Sequence, residues 1–586
     1  MKYELIQPVN ERYSAIQQIL INRKIQLQDI PDYLNTTDRC IYHPIYFGKE
    51  VMWNAVNAIG KCVHENKKAI VIVDSDCDGF TSSALLINYL HDLFPAWVEN
   101  NLTWFMHSGK QHGLSDFPME LADDIQLLLI PDASSNDYEY HEMLNKCGKD
   151  IVILDHHEAE KISEYAIVIN NQLSRYPNKH LSGVGVVWQF CRYMDDVMGT
   201  DYAEKYLDLV SLGMIADMMS MRSIETKHLI NKGLRNINNP FFAAMVDKNS
   251  YSIGDEVTPM GVAFYVAPFV NAIVRSGTQE EKEIIFQSML NHKAFEKIPS
   301  NKRGHKPGEM EQLYIQATRT ATNVKNRQTR TQDAGLEFLE NMIEEYNLLD
   351  NKVLMFPLKP GDIDRNIAGL IANKFMAKYQ RPCCILTRVE DGNGKVSYQG
   401  SARGCDKTGI TEFKDICAAT NRTIFTEGHQ GAFGLGIMED DMDDFIERTN
   451  EMLKDTSDEA VYYVDYIYRG HEVEGNHILD IARLNNLWGK DMDEPFIAIK
   501  GLKVTKDMLT LMSPDKKPTL KITLPNKVSL IKFGSSQEEY EKLFSETGYI
   551  EIDVVGRCNK NEWNGWVTPQ VFIEDYEIVD KAKYIF

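Results

Sequence analysis

No apolar run in this 586-residue sequence approaches the ~20 residues that a membrane-spanning helix needs. There is no CxxC pair either. The ten cysteines are scattered, which argues against a thiolate zinc site and fits reduced thiols better than disulfides. The opening MKYELIQPVN lacks the basic end and apolar core of a secretory signal, so a cytoplasmic location and no membrane partner are expected. Positive charge is short: 63 Lys and Arg against 85 Asp and Glu leave a net charge of −22, which argues against a surface coated for nucleic acid. No internal repeat or low-complexity segment stands out.

What is present is a large globular composition, 43% hydrophobic and 25% charged, in a chain too long for one ordinary core. Two local basic stretches lie on the acidic body. Residues 500 to 532 carry eight lysines against Asp507 and Asp515, and residues 301 to 330 carry seven Lys or Arg against Glu309 and Glu311. Each reads either as a solvated face or as a nucleic-acid contact.

The stretch AIVIVDSDCDGFTSSALL places Asp74, Asp76, Asp78 and Gly79 like the start of a calcium-binding EF-hand loop. Such a loop needs a bidentate Glu at its twelfth position and a helix leading in. Here that position is Leu85, and Ala69 to Val73 reads as a buried strand. Strand, acidic turn and a helix starting at Thr81-Ser82-Ser83 is instead the pattern of an open α/β sheet, whose ligands gather beyond the strand ends. The arrangement recurs in IQLLLIPDASSND, with Asp132, and in KDIVILDHHEAE, with Asp155, His156 and His157. VSLGMIADMMSM places Asp217 after a helical or mixed apolar stretch. Each Asp alone also reads as a helix cap. Together they read as carboxylates on one edge of a parallel sheet, which repel one another unless cations lie between them. Oxygen ligands with one or two imidazoles suit Mn²⁺ or Mg²⁺ better than zinc, and a pair of such ions can drive hydrolysis of a phosphodiester.

The LDHHE segment resembles the DHH phosphoesterase superfamily, and the chain as a whole is similar to its RecJ-like single-strand-specific exonucleases. DSDCDG, Asp132, DHH, LSGVGVVWQF and LGMIADM resemble the first five motifs in order, and APFVNAIVRSGT resembles the segment carrying Pro268, Asn271, Arg275 and Gly277. RNIAGLIANKFMAKYQRPCCIL, GSARG and EGHQGAFGLGI are similar to the DHH-associated domain, with its Gly428, His429, Ala432, Gly434 loop. The short alternating segments between 495 and 578 read as an antiparallel OB-type barrel, and GRCNKNEWNGW with VFIEDYEI resembles the end of the RecJ OB domain. Two departures stand out. The second motif runs Asp132-Ala133-Ser134-Ser135-Asn136 where the family usually has Gly soon after Asp, and the net charge is acidic.

The expected fold is multidomain α/β: an N-terminal extension (1–45), a parallel-sheet DHH catalytic domain (46–235), a helical connector (236–350), a smaller α/β DHH-associated domain (351–455) and an OB-like barrel (456–586). Residues 321 to 346 are consistent with a long helix. The resemblance implies two divalent ions, Mn²⁺ or Mg²⁺. Asp74 and Asp76 would serve one, Asp78, His156 and Asp217 the other, with Asp132 bridging. Asp155 would orient His156 from behind, and His157 would meet the scissile phosphate or protonate the departing oxygen. Asn271, Arg275, Ser401, Arg403, Gly428 and His429 are candidate phosphate contacts, and Lys516, Lys517 and Lys521 candidate strand contacts in the barrel. The implied activity is exonucleolytic release of mononucleotides from single-stranded DNA, from the 5′ end, by a monomer in repair, recombination or replication, with a single-strand-binding protein or helicase as possible partner. Two alternatives stay open: a phosphoesterase of short oligonucleotides or cyclic dinucleotides, and a non-catalytic scaffold that binds DNA or replication proteins.

Overall fold

The computed structural model describes residues 1–109, 111–392, 394–456, 461–470, 472–513, 518–546, 548–563 and 565–583. The chain forms two compact units, one of Gln28–Arg327 with Asn485–Asp493, the other of Met1–Leu27, Gln328–Leu484 and Glu494–Phe586.

The first unit is built on five parallel strands: β1 (Lys68–Val73), β2 (Leu102–Met106), β3 (Ile125–Pro131), β4 (Asp150–Asp155) and β5 (Ile167–Asn170). Their order is β2-β1-β3-β4-β5. The order reverses between β1 and β3, so a crevice opens where their carboxyl ends diverge. Those are the strands that lead into Asp74 and Asp132. Ile70, Ile72, Leu128, Ile130, Ile151 and Ile153 join one core cluster with Leu114 and Phe117. The alternate residues Val71, Leu127, Leu129, Val152 and Leu154 are equally buried. Covered on both faces, these strands read as continuous apolar runs rather than alternating ones.

The helices that bear on the site are α1 (Cys77–Leu93), α2 (Tyr138–Lys146), α3 (Gly183–Met198), α4 (Leu207–Ala216) and α5 (Ala267–Ser276). Two expectations are corrected here. α1 starts at Cys77 rather than Thr81, because Asp76 caps it by accepting a 2.9 Å hydrogen bond from the Gly79 N–H, and this carries Asp78 into the buried first turn. Asp217 does not stand at a strand end with the other carboxylates; it is the C-cap of α4, its N–H donating to Gly213 O at 2.9 Å. The long helix expected near 321–346 spans Leu313–Glu345.

In the second unit a five-stranded sheet runs in the order Thr423–His429, Ala432–Met438, Val396–Arg403, Cys383–Glu390, Leu354–Leu358. Only the last pairing is parallel. Helix Arg365–Tyr379 covers one face through Ile367, Ile371 and Phe375, while Phe413, Phe433 and Phe445 fill the other. The C-terminal part is a seven-stranded sheet ordered Tyr466–Arg469, Phe496–Val504, Gly548–Trp563, Trp566–Lys583, Ser529–Phe533, Thr519–Thr523, Leu509–Met512. Its pairings are antiparallel except Tyr466–Arg469 with Phe496–Val504 and Ser529–Phe533 with Trp566–Lys583. The N-terminal residues are built into this unit, strand Lys2–Leu5 pairing in parallel with Val461–Val464. Among the described residues no helix is long and apolar enough to cross a membrane.

Candidate metal centre

Each acidic turn delivers its side chains to the same crevice. Asp74, just past β1, is 1% exposed; Asp78 in the first turn of α1 and Asp132 just past β3 are equally buried. β4 ends in Asp155, and His156 and His157 follow it. Ligand atoms of Asp74, Asp76 and Asp132 lie within 4.8 Å of one another, as do those of Asp78, His156 and Asp217, and those of Asp132, His156 and His157. Asp132 and His156 each belong to two of these groups. His156 Nε2 is 3.2 Å from Asp132 Oδ1 and 3.5 Å from Asp217 Oδ2, but not in hydrogen-bonding orientation. Among the described residues both oxygens of Asp132, Asp78 Oδ2 and Asp217 Oδ2 are buried without a hydrogen-bond partner.

The backbone leaves room for this crowding at two glycines. A Cβ on Gly183 would lie 2.2 Å from Asp132 Oδ1, and one on Gly213 would lie 2.3 Å from Asp78 Oδ1. Both come from the Gly-containing motifs read in the sequence, whose glycines thus admit carboxylates. Ser182 Oγ donates to Asp78 Oδ1 at 2.9 Å.

The electrostatics follow from burial and like charge. Burial, then the charges of Asp78 and Asp74, push the Asp76 carboxyl up to about 6. Burial with Asp78 and Asp76 pushes Asp217 up to about 8, and burial with its carboxylate neighbours raises Asp132 well above the usual range. Burial and the neighbouring His157 hold His156 down to about 4, a neutral imidazole able to ligate. Burial works against the charged His157, but Asp155 Oδ1, 2.8 Å from His157 Nδ1, carries it up to about 9. Asp155 goes down to about 2 through that bond and the His157 charge, against its own burial. Asp155 was expected behind His156; its side chain binds His157 Nδ1 and meets His156 only at the backbone N–H, at 2.7 Å. A set of buried carboxylates with orphaned oxygens and one neutral imidazole fits hard divalent cations.

The remaining expected residues fall as follows. Arg275 lies near the end of α5, close enough to Asp76 to be influenced by its charge, and Asn271 is one turn earlier on the same helix. In the second unit Ser401 and Arg403 stand two apart on one strand. Arg403 pairs in register with Ala432, which in turn pairs with His429. Gly428 has φ +127, open to glycine alone. Lys521 is on strand Thr519–Thr523; Lys516 and Lys517 lie outside the described residues. Sequence reading missed His112, whose Nδ1 is hydrogen-bonded to Asp74 Oδ2 at 2.7 Å. Its one signal was its place in the loop after β2, the strand beside β1.

The family model described as the DHH family, N-terminal domain, matches residues 68–214, and that of the RecJ OB domain matches residues 464–575. Over 581 residues the chain is 34% identical to a protein of Bacillus subtilis (strain 168) named as an SPbeta prophage-derived single-strand DNA-specific exonuclease, YorK, covering 99% of this chain and 98% of that one. The chain belongs to the DHH family of RecJ-like exonucleases. It is also 25% identical to the single-stranded-DNA-specific exonuclease RecJ of Bacillus subtilis (strain 168), over 93% of this chain and 65% of that one. Among solved structures, RecJ from Thermus thermophilus in complex with Mn²⁺ superposes with a TM-score of 0.67 at 16% identity, covering all of this chain and 80% of that one. The Mg²⁺ complex gives 0.62 at 16% identity, over 99% and 78%. At these identities the likeness is one of fold, which this RecJ-like chain shares along its length.

Proposed function

We propose that the chain is a divalent-metal-dependent exonuclease that hydrolyses single-stranded DNA to mononucleotides. The observation that carries this is the overlap of ligand groups: Asp132 belongs to the group with Asp74 and Asp76, and His156 to the groups with Asp132 and with Asp78 and Asp217. That overlap supports two ions, which Asp74, Asp76, Asp78, Asp132, His156 and Asp217 would hold. When bound, such a pair supplies Lewis acidity, a nucleophile at neutral pH and neutralisation of the scissile phosphate.

The chain's own groups do the rest. Asp155 fixes the His157 ring through Nδ1, leaving Nε2 to donate to the scissile phosphate or to the departing oxygen. Arg275 presents a guanidinium to phosphate oxygens beside Asp76. Asn271, Ser401, Arg403, Gly428 and His429 are proposed as further contacts along the strand's phosphates, and Lys516, Lys517 and Lys521 as contacts of the OB domain. Cleavage from the 5′ end follows from the family alone. A single-strand-binding protein or helicase that presents the strand is the class of partner this activity calls for.

One gel tests the reading: single and double strands labelled at either end, digested with Mn²⁺, Mg²⁺ or chelator. Mononucleotides released from the 5′ label of single strands, only with metal, are expected. Equal digestion in chelator, or cleavage confined to dinucleotides, would overturn it.

A further inference from the structure

Asp137 occupies the N-cap of α2 yet makes no capping bond with its side chain. Asp at that position ordinarily accepts from the first N–H groups of its helix. Here Oδ2 turns away, accepting from Ser134 Oγ at 2.5 Å and from the Leu114 N–H at 2.9 Å.

Both bonds lead to carboxylates of the metal centre. Ser134 has φ +82 and Asp132 φ +68, so the segment replacing the family's Asp-Gly turn holds two non-glycine residues in the left-handed region. Such residues persist only where their surroundings hold them. The Ser134 hydroxyl on Asp137, with Asp137 N donating to Ser134 O at 3.2 Å, closes that turn. On the other side, the residues preceding Leu114 hold Asp74: His112 Nδ1 is 2.7 Å from Oδ2, and the Gly113 N–H donates to Oδ1 at 3.2 Å. The fit is close, since a Cβ on Gly113 would lie 2.3 Å from Asp137 Oδ2.

We infer that Asp137 is a positioning residue that sets two carboxylates of the centre at once, latching the strained turn that aims Asp132 and the His112–Leu114 segment that holds Asp74. The inference rests on the proposed reading that these carboxylates bind divalent cations. It explains how this chain keeps Asp132 in place without the glycine.

The test is calorimetric titration of the full chain with Mn²⁺ alone, which needs no DNA and no turnover. Asp137→Ala is expected to bind Mn²⁺ about 10-fold more weakly with an unchanged far-ultraviolet circular dichroism spectrum, the lower end of what loss of a group bonded directly to a metal ligand costs. Asp137→Asn, whose amide oxygen accepts the same two bonds, should stay near the parent. Adding Ser134→Gly to Asp137→Ala should recover part of the loss, because glycine adopts the left-handed turn unassisted. Parent-like binding by Asp137→Ala, or no recovery by either the amide or the glycine, would overturn the inference. If Asp137→Ala does not fold, Ser134→Ala carries the comparison: it deletes only the hydroxyl and should weaken Mn²⁺ binding, whereas parent-like binding would overturn the latch. Failure of the parent itself to bind Mn²⁺ would overturn the metal reading, a result separable from any difference among variants.

Discussion

The carboxylate of Asp132 occupies the space that a side chain on Gly183 would fill: a Cβ there would lie 2.2 Å from Oδ1 and 2.5 Å from the Asp132 Cβ. Gly183→Ala must therefore displace Asp132. A displacement near 1 Å costs about 100-fold in rate, and that loss of nuclease turnover is expected with a cooperative thermal transition retained. Gly213→Ala should act alike through Asp78. Full activity in either variant would show that these carboxylates tolerate movement and are not ligands.

Asp132 itself should show a trade between function and stability. Asp132→Asn is expected to lower cleavage by more than about 100-fold, since outer partners of a metal site alone are worth 10- to 100-fold. In chelator the same variant should be more stable by about 1 kcal/mol, the gain common when a strained functional site is relieved, because the parent's carboxyl, raised by burial and by its carboxylate neighbours, must take up a proton on folding and the amide need not. Urea denaturation in chelator, compared between parent and variant, measures this. A less stable variant would mean that the carboxylate is satisfied without metal.

The metal-free protein should lose stability as pH rises between about 6.5 and 9. Asp217, raised to about 8 by burial and by Asp78 and Asp76, and His157, raised to about 9 by Asp155 against its burial, both keep protons in the folded state that the unfolded chain has released. Their stabilisation is complete below the unfolded pKa values, about 3.9 and 6.5, and is lost as pH passes the folded ones. His156 has the opposite sign, because its folded value is depressed to about 4, but its effect is complete by about pH 6.5. Because ligands must be deprotonated, added Mn²⁺ should raise the melting temperature more at pH 8.5 than at pH 6.5. A flat profile in chelator would remove the proton-coupled account of the centre.

In the OB domain, Lys521 is half-buried on strand Thr519–Thr523. Neutralising it together with Lys516 and Lys517 should weaken binding of long single strands. The slope of log affinity against log salt should fall by up to about 0.7 for each phosphate that a lysine no longer neutralises. An unchanged slope would show that these lysines do not meet the backbone.

Most of the first unit was legible because strands buried on both faces leave continuous apolar runs, and because Asp74, Asp132 and Asp155 stand at the ends of such runs. Asp217 reads as following a helical or mixed apolar stretch, and that stretch is a helix; only its grouping with the strand ends goes too far, because an all-apolar helix and a buried strand look alike over a few residues. The resemblance to the family put Asp155 behind His156, but the side chain turns to His157, a choice of rotamer that no pattern encodes. His112 and Asp137 were invisible for a related reason: His112 acts through a hydrogen bond to a residue 38 positions away, and Asp137 joins its own turn at Ser134 to Leu114, 23 positions away. The N-terminal residues gave no periodicity to read, since their fold is fixed by partners more than 400 residues away.

Those partners supply the last prediction. Arg23 makes a two-pronged pair with Asp465, Nη1 to Oδ1 and Nη2 to Oδ2 both at 2.9 Å, and Asn22 Nδ2 donates to the same Oδ1 at 2.8 Å. The side chains are 7% and 0% exposed. Breaking such a pair leaves an uncompensated charge in the interior, so Arg23→Ala should destabilise the unit by about 3–5 kcal/mol. Asp465→Ala should do comparable harm, since the Arg23 guanidinium and the Asn22 Nδ2 both lose the same carboxylate. The double variant Arg23→Met, Asp465→Leu should recover most of the loss, because apolar residues of similar volume replace a buried pair at little net cost. What it fails to recover measures the bond that Asn22 Nδ2 loses. Urea denaturation of the two single variants and the double gives the coupling directly. Additive losses would show that the pair is incidental and that strand Lys2–Leu5, paired with Val461–Val464, fixes the N-terminal residues by itself.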